Sequence, residues 1–237
     1  PLLRNRDRSK MSKRRNPTNV LWYREQGYLP QALVNFMGLM GWSHPDGREV
    51  FDIGEMAKHF QLEAVSLGGP IFDFKKLDWL NGLYIRQMPL ADLGRLCRAY
   101  LPEGLRDEQV STALPLVQER LKRLSEVSEL TSFFWTDDLQ YDPSLLTVKD
   151  KEPEQVRGAL LETLAVLSEL ESPDHATWEQ ALRDIAARRG FKDGDLFMLV
   201  RVAVTGRTAS PPLYETSVAL GWGRTLERIR SSLEKVG

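Results

Sequence analysis

The feature that most constrains the fold is the spacing of the apolar residues. Along most of the chain they recur at intervals of three or four, which places their side chains on one face of an α-helix. Leu29, Leu33, Phe36 and Met40 form the first such face, and Gly41 ends it. Alternating apolar and polar runs of strand length are scarce. The sequence therefore predicts a mostly all-α protein.

Acidic residues mark the starts of two helices. Asp52, with Glu55 three positions later, has the spacing of a capping box, in which each side chain accepts from the other residue's backbone N–H. Asp73 is expected to cap another helix. Because asparagine and glycine often follow the last residue of a helix, we expect this helix to stop at Asn81 and Gly82.

Prolines and apolar spacing predict the remaining helices. Pro89 opens one, since proline at the first helical position sacrifices no internal hydrogen bond. Residues 108–130 are predicted to form a longer helix with Val110, Leu114 and Val117 on its apolar face. Later in the chain, one helix is expected to begin at Pro153 and the next to be capped by Ser172-Pro173. Three further helices are expected over residues 196–204, 211–220 and 226–233.

An acidic stretch over residues 136–153 is the clearest linker, because charged and turn-forming residues replace the apolar periodicity there. Its paired carboxylates, Asp137 and Asp138, fit linker charge better than a catalytic acid–base pair. The chain is accordingly divided into three segments, of which the boundary between the first two is the softer. The segments cover residues 1–89, 90–143 and 144–237.

Charge composition excludes one class of partner-binding surface. The chain has 32 Lys and Arg against 33 Asp and Glu, so its formal net charge is −1. This excludes a uniformly basic nucleic-acid binder but leaves open a protein with one basic face. Basic residues cluster at 4–15, at 118–123 and from Arg201 onward.

Apolar runs and cysteine usage exclude further classes. No apolar run approaches the roughly 18–20 residues of a membrane span, so no membrane association is expected. The single cysteine, Cys97, cannot form an internal disulfide, and the three histidines spell out no zinc site, so no metal is predicted. Cys97 shares a helical face with Leu93 and Leu101 and is expected in the core. These features favour a soluble cytoplasmic protein.

The strongest local motif is the pentapeptide Lys10-Met11-Ser12-Lys13-Arg14. Two lysines this close can both reach one polyphosphate and stabilise the negative charge that develops on a pyrophosphate leaving group. The alternative is a solvated basic tail. The motif resembles the KMSKS-type loop of class I aminoacyl-tRNA synthetases.

Downstream segments extend this resemblance and narrow it to the glutamyl-tRNA synthetase family, most specifically over the first 90 residues. The segments that carry it are Leu21-Trp22-Tyr23, Gly27-Tyr28-Leu29-Pro30-Gln31-Ala32-Leu33, Leu39-Met40-Gly41-Trp42, Pro45-Asp46-Gly47-Arg48-Glu49, Ser66-Leu67-Gly68-Gly69-Pro70, Phe72-Asp73 and Lys76-Leu77-Asp78-Trp79-Leu80-Asn81. The resemblance implies a stem-contact helical domain followed by a helical-bundle anticodon-binding cage.

The resemblance also implies partners and cofactors. The family ligates glutamate to tRNA-Glu using ATP and Mg²⁺, and Lys10 and Lys13 would contact ATP. Whether tRNA-Gln is also accepted stays open. We expect no binding to DNA, and we expect the protein to be a monomer. This sequence contains neither a His-x-Gly-His signature nor a Gly-Lys dipeptide for a phosphate-binding loop. The chain alone is therefore expected to bind tRNA, to hold no cofactor and to catalyse nothing.

Three residues are implied to read the anticodon. Arg120 resembles the arginine that reads the third anticodon base, and its planar guanidinium suits a base edge. Arg201 and Ser210 resemble a signature pair in which the arginine contacts the anticodon and the hydroxyl precedes a helix. The alternatives are solvated arginines, and for Ser210 a plain helix cap.

Other basic residues are candidates for the tRNA backbone. Arg14, Arg15, Lys75 and Lys76 would make phosphate contacts, which depend on salt and carry no base information. A solvated surface charge explains each of them equally well. A different class of function also stays open, a helical module that docks to a synthetase or an amidotransferase. A self-sufficient enzyme is a third interpretation, against which the missing ATP-site signature argues.

Overall fold

The computed structural model describes residues 2–12, 14 and 17–236. The chain folds into two compact units, Pro1–Glu129 and Leu130–Gly237. In the described residues all regular elements are helical, apart from isolated bridges that pair Arg4 with Lys10 and with Ile71. The mostly all-α prediction is confirmed. The three functional segments 1–89, 90–143 and 144–237 stay a prediction.

Twelve α-helices occur in the described part of the chain. Those of the first unit are α1 (Val20–Glu25), α2 (Pro30–Leu39), α3 (Ile53–His59), α4 (Phe74–Gln87), α5 (Leu90–Cys97) and α6 (Asp107–Val117). Helix α7 (Glu126–Trp135) includes the boundary between the units. Those of the second unit are α8 (Pro153–Glu169), α9 (His175–Arg189), α10 (Asp193–Thr205), α11 (Leu213–Leu220) and α12 (Trp222–Ser232).

An aromatic cluster forms part of the core of the first unit. Tyr23, Tyr28, Phe36 and Phe72 are buried together, and the rings of Phe36 and Phe72 meet edge to face at 4.9 Å. Aromatic pairs in this geometry stabilise a fold by more than the burial of their apolar surface alone. Helix α1 and the segment that precedes α4 are thus held against α2.

The capping box before α3 is confirmed. The Asp52 carboxylate accepts from the Glu55 N–H at 2.8 Å, and the Glu55 carboxylate accepts from the Asp52 N–H at 3.3 Å. The expected helix starts at Pro89 and Pro153 are confirmed as well, because Pro89 directly precedes α5 and Pro153 is the first residue of α8.

The predicted end of α4 at Asn81 and Gly82 is wrong, because the helix continues to Gln87. Asn81 is fully buried, and its side-chain oxygen accepts from the Leu29 N–H at 2.7 Å. A Cβ at Gly82 would lie 3.2 Å from the Leu121 carbonyl oxygen. Both residues therefore serve close packing within the first unit instead of ending the helix.

The single helix predicted over 108–130 is also wrong. Helix α6 ends at Val117, a 3-10 turn covers Gln118–Arg120, and α7 begins at Glu126. The interruption has a long-range cause, since the Leu124 N–H donates to the Gly27 carbonyl at 3.0 Å. The Glu126 carboxylate accepts from the Lys122 N–H at 2.8 Å, which satisfies a backbone donor exposed by the break.

The second unit is a helical bundle with its own core. Trp178 is 2% exposed and packs among apolar residues of α8, α9, α10 and α12. Helix starts differ slightly from expectation: Asp174, not Ser172-Pro173, caps α9 by accepting from the Thr177 N–H at 2.7 Å. Helices α11 and α12 begin at Leu213 and Trp222 in place of positions 211 and 226.

In the described part of the chain, no helix combines the length and apolarity that a bilayer crossing requires. Cys97 is fully buried, as expected.

Candidate nucleic-acid interface

The segment that carries the lysine motif is folded back on itself. The Met11 N–H donates to the Leu3 carbonyl at 3.0 Å, and the Asn5 N–H donates to the Ser9 carbonyl at 2.8 Å. The Lys10 side chain is exposed, and Met11 and Ser12 are partly buried. Lys13, the second lysine expected to contact ATP, lies outside the described residues.

An apolar pocket of about 260 Å³ opens beside this segment. Leu3, Met11, Tyr23 and Phe72 are among its walls, and Lys10 is the one charged residue among the described side chains that line it. A polyphosphate requires several N–H donors and positive charges, which apolar walls do not supply. The pocket therefore does not fit the phosphates of ATP.

Arg120 lies at the end of the 3-10 turn Gln118–Arg120 in the first unit, and its side chain is exposed. The neighbouring Leu121 is fully buried. The turn thus anchors the chain in the core while presenting a guanidinium to solvent. This position suits contact with an unpaired base or a phosphate.

The other predicted pair lies in the second unit, where the structure brings its members together. The Arg201 guanidinium, on α10, donates to the Ser210 hydroxyl and carbonyl and, at 2.9 Å, to the Pro211 carbonyl. Ser210 is 5% exposed. Ser210 is not the cap of α11, because Pro212 holds that position. The arginine therefore shapes the segment between α10 and α11.

The four residues expected at the tRNA backbone differ in setting. Lys75 and Arg14 are exposed. Lys76 is half-buried and forms an ion pair with Glu49, which restrains its ammonium group. Arg15 lies outside the described residues.

Sequence reasoning missed two arginines of α12 that donate to main-chain carbonyls of the second unit. Arg228 on α12 is 4% exposed and donates to the carbonyls of Val204, at 2.7 Å, and Phe133, at 2.6 Å. It thereby ties the end of α10 to the end of α7. Arg224 donates to the Phe134 carbonyl at 2.9 Å. Their spacing of four residues was the available signal, since it places both on one helical face.

The electrostatics of Arg228 follow from its surroundings. Burial, together with the nearby Arg224 charge, lowers the pKa of Arg228 to about 10. At neutral pH the guanidinium remains charged, and helix-terminal carbonyls stabilise it because they carry partial negative charge. Arg207, also missed, donates to the Ser132 hydroxyl at 2.8 Å and lies over the Phe133 ring at 5.6 Å.

Comparison with known families bears on the interpretations that the sequence left open. A family profile described as an anticodon binding domain matches residues 92–233, more than half of the chain. The chain belongs to this anticodon-binding-domain family. A second profile, described as the catalytic domain of class I tRNA synthetases (E and Q), matches residues 1–79. The anticodon-binding match favours the tRNA-binding interpretation over a protein-docking module.

Relatives of this chain are glutamate–tRNA ligases. The chain is 39% identical over 237 residues to the enzyme of Stutzerimonas stutzeri, covering 100% of the chain and 48% of that enzyme. It is 44% identical over 246 aligned positions to that of Acidothermus cellulolyticus, covering 97% of the chain and 48% of that enzyme. The chain spans about half the length of these relatives. The expected resemblance to glutamyl-tRNA synthetases is confirmed.

A solved structure has a similar fold. The crystal structure of a glutamate tRNA ligase from Elizabethkingia meningosepticum, in complex with its amino acid, aligns with a TM-score of 0.83 at 23% identity. The alignment covers 100% of this chain and 50% of that one.

Proposed function

We propose that this chain binds tRNA-Glu through its anticodon loop and so serves the glutamate–tRNA ligation that its longer relatives perform. The anticodon-binding profile over residues 92–233 carries the proposal. Acceptance of tRNA-Gln stays open. We further propose that the protein acts in the cytoplasm as a monomer. The chain by itself would bind tRNA without catalysing aminoacylation.

Arg120 is proposed to read the third anticodon base. Its exposed guanidinium presents a rigid planar set of N–H donors, which can pair with the edge of an unstacked base. A base that offers donors in the same place would leave the arginine unpaired, and desolvating it would then cost binding energy. This asymmetry would give discrimination between tRNAs that differ at that base.

Arg201 and Ser210 are proposed to form the second anticodon contact. Because the Arg201 guanidinium already holds the Ser210 and Pro211 carbonyls, it would act mainly by setting the shape of the segment between α10 and α11. A preshaped segment loses less conformational entropy when a base docks on it. The Ser210 hydroxyl is in direct contact with the guanidinium and would move with it.

Phosphate contacts would supply most of the salt-dependent affinity. The exposed Arg14 and Lys75 are the described candidates, with Arg15 outside the described residues and Lys76 already paired with Glu49. Each phosphate contact releases condensed counterions, so affinity should fall steeply with added salt.

ATP and Mg²⁺ are proposed to serve the ligation carried out by the whole enzyme. Activation of an amino acid with ATP releases pyrophosphate, whose charge Lys10 and Lys13 would help to stabilise. The exposed position of Lys10 is compatible with this role.

The testing experiment measures binding of this chain to two tRNA-Glu transcripts that differ only in the third anticodon base, each at two salt concentrations. Wild-type protein should prefer the native transcript, and both affinities should drop with salt. Arg120→Ala should abolish the preference. Arg95→Ala is the matched control, because it removes the same charge from an exposed position where the ion-pair partner among the described residues is the nearby Asp92.

Two outcomes would count against the proposal. Affinity that is absent, or insensitive to salt, would contradict tRNA binding as such. A preference that survives Arg120→Ala would leave a tRNA binder but would remove Arg120 as the reader of the third base.

A further inference from the structure

We propose that Gln118 is a positioning residue for anticodon recognition, which acts by holding the turn that presents Arg120. The inference rests on the proposed function, because it assumes that Arg120 contacts the anticodon. Its support comes from contacts of the first unit that fix this turn on both sides.

On the N-terminal side of Arg120, the Gln118 side-chain amide is hydrogen-bonded to the end of α4. Its N–H groups donate to the carbonyls of Ile85 and Met88, each at 2.9 Å, and approach that of Arg86 at 3.4 Å. The last carbonyls of a helix have no partner within the helix, so they are natural acceptors for such an amide. Gln118 lies two residues before Arg120 and is partly buried.

On the far side, α4 holds the chain again through Asn81. The Asn81 amide donates to the Lys122 carbonyl at 2.6 Å, and Lys122 lies two residues after Arg120. Leu121 is fully buried between these contacts. Helix α4 therefore restrains the chain two residues before and two residues after Arg120.

Two residues of this turn, Glu119 and Arg120, present exposed side chains. The Glu119 carboxylate is 77% exposed and lies 3.9 Å from Arg86 Nε, too far for a strong restraint. Because Gln118 and Asn81 hold the backbone, the Arg120 side chain projects from a fixed position. Such preorganisation favours the contact that matches it and leaves unspecific attraction to phosphate unchanged.

The test is a double-mutant cycle between Gln118→Met and Arg120→Ala in this chain. Methionine has a similar length but no hydrogen-bond donors, so the hydrogen bonds to the end of α4 are lost while the packing volume is kept. The readout is the ratio of dissociation constants for two tRNA-Glu transcripts that differ only in the third anticodon base. Gln118→Met should reduce this ratio by about threefold or more, chiefly through weaker binding of the native transcript.

The cycle separates positioning from general damage. In the Arg120→Ala background, Gln118→Met should have no further effect on the ratio, because the group it positions is gone. Gln118→Lys should restore the ratio, since its ammonium can donate to the same carbonyls and its added charge attracts both transcripts equally. Helical circular dichroism verifies folding, and Gln118→Asn, which withdraws the amide by one methylene, is the milder substitution if the methionine variant unfolds.

Equal weakening of both transcripts by Gln118→Met, or an effect that persists without Arg120, would overturn the inference while leaving the proposed function intact. If Arg120→Ala alone leaves the ratio at its wild-type value, the role of Arg120 fails and the inference fails with it. Both failures are visible in separate corners of the same cycle.

Discussion

Arg201 holds Ser210 through hydrogen bonds from its guanidinium to the serine carbonyl, at 3.3 Å, and to the serine hydroxyl. The two residues are nine positions apart, on α10 and on the segment that leads to α11. Resemblance to a family signature singled out both, but their direct contact is a property of the folded chain. It makes Arg201 a structural support of the site as well as a candidate contact to RNA.

Arg201→Ala should destabilise the second unit by roughly 1.5–3 kcal/mol, because hydrogen bonds to a charged group are lost and buried oxygens are left without donors. The measurement is urea unfolding followed by circular dichroism. Arg230→Ala, at an exposed position of α12, is the control and should change stability by less than about 0.5 kcal/mol. Equal effects of the two substitutions would contradict a supporting role for Arg201.

Asn81→Ala should destabilise the first unit by roughly 2–4 kcal/mol, since it removes partners from the Leu29 N–H and the Lys122 carbonyl in a buried setting. Urea unfolding again measures the change. Gln31→Ala, at an exposed position of α2, provides the control. A loss no larger than that of Gln31→Ala would show that water replaces the Asn81 amide at little cost.

Cys97 should make stability depend on alkaline pH. Burial raises the pKa of its thiol from an ordinary 9.0 to about 12, so the folded protein keeps the proton while the unfolded chain releases it. The stabilising effect is therefore complete below pH 9 and is lost as pH rises towards 12. Between pH 9 and pH 10 the stability advantage of wild type over Cys97→Ala should shrink by about 1 kcal/mol.

The Cys97 prediction has an independent check. Because the thiolate is the reactive species, the folded protein should resist alkylation at pH 8 and should react rapidly in urea. A thiol that reacts equally fast in both conditions would contradict its burial. A wild-type advantage that stays constant from pH 9 to pH 10 would contradict the raised pKa.

Glu162 should contribute stability at neutral pH that acid removes. Its carboxylate accepts from Arg189 and, at 2.8 Å, from Arg188, and these contacts lower its pKa. A lowered pKa stabilises the fold above the ordinary value of 4.5, and this effect disappears as pH falls below it. Glu162→Gln should cost no more than about 1 kcal/mol at pH 7, because the ion pairs are near the surface.

The Glu162 measurement compares unfolding at pH 7 and pH 3. The difference between wild type and Glu162→Gln should vanish at the lower pH. Glu171→Gln, at an exposed position after α8, is the matched control and should show little difference at either pH. A cost for Glu162→Gln that is the same at both pH values would indicate lost packing, not lost charge.

Local sequence determined the helical class, the capping box of Asp52 with Glu55, and the helix starts at Pro89 and Pro153. Periodicity, caps and prolines act within one or two turns, so the residues that cause these features are their own neighbours. Family resemblance identified the anticodon-binding character, and the assignment of Arg120, Arg201 and Ser210 to tRNA stays a prediction.

Only the tertiary structure decided where α4 ends and why the helix predicted over 108–130 is interrupted. Asn81 looks like a helix end in the sequence, yet its buried amide is satisfied by Leu29 and Lys122, far away in the chain. The same holds for the Arg228 contacts with Phe133 and Val204. Backbone groups at a helix end take whichever partner the fold brings near, and that choice is not encoded in the neighbouring residues.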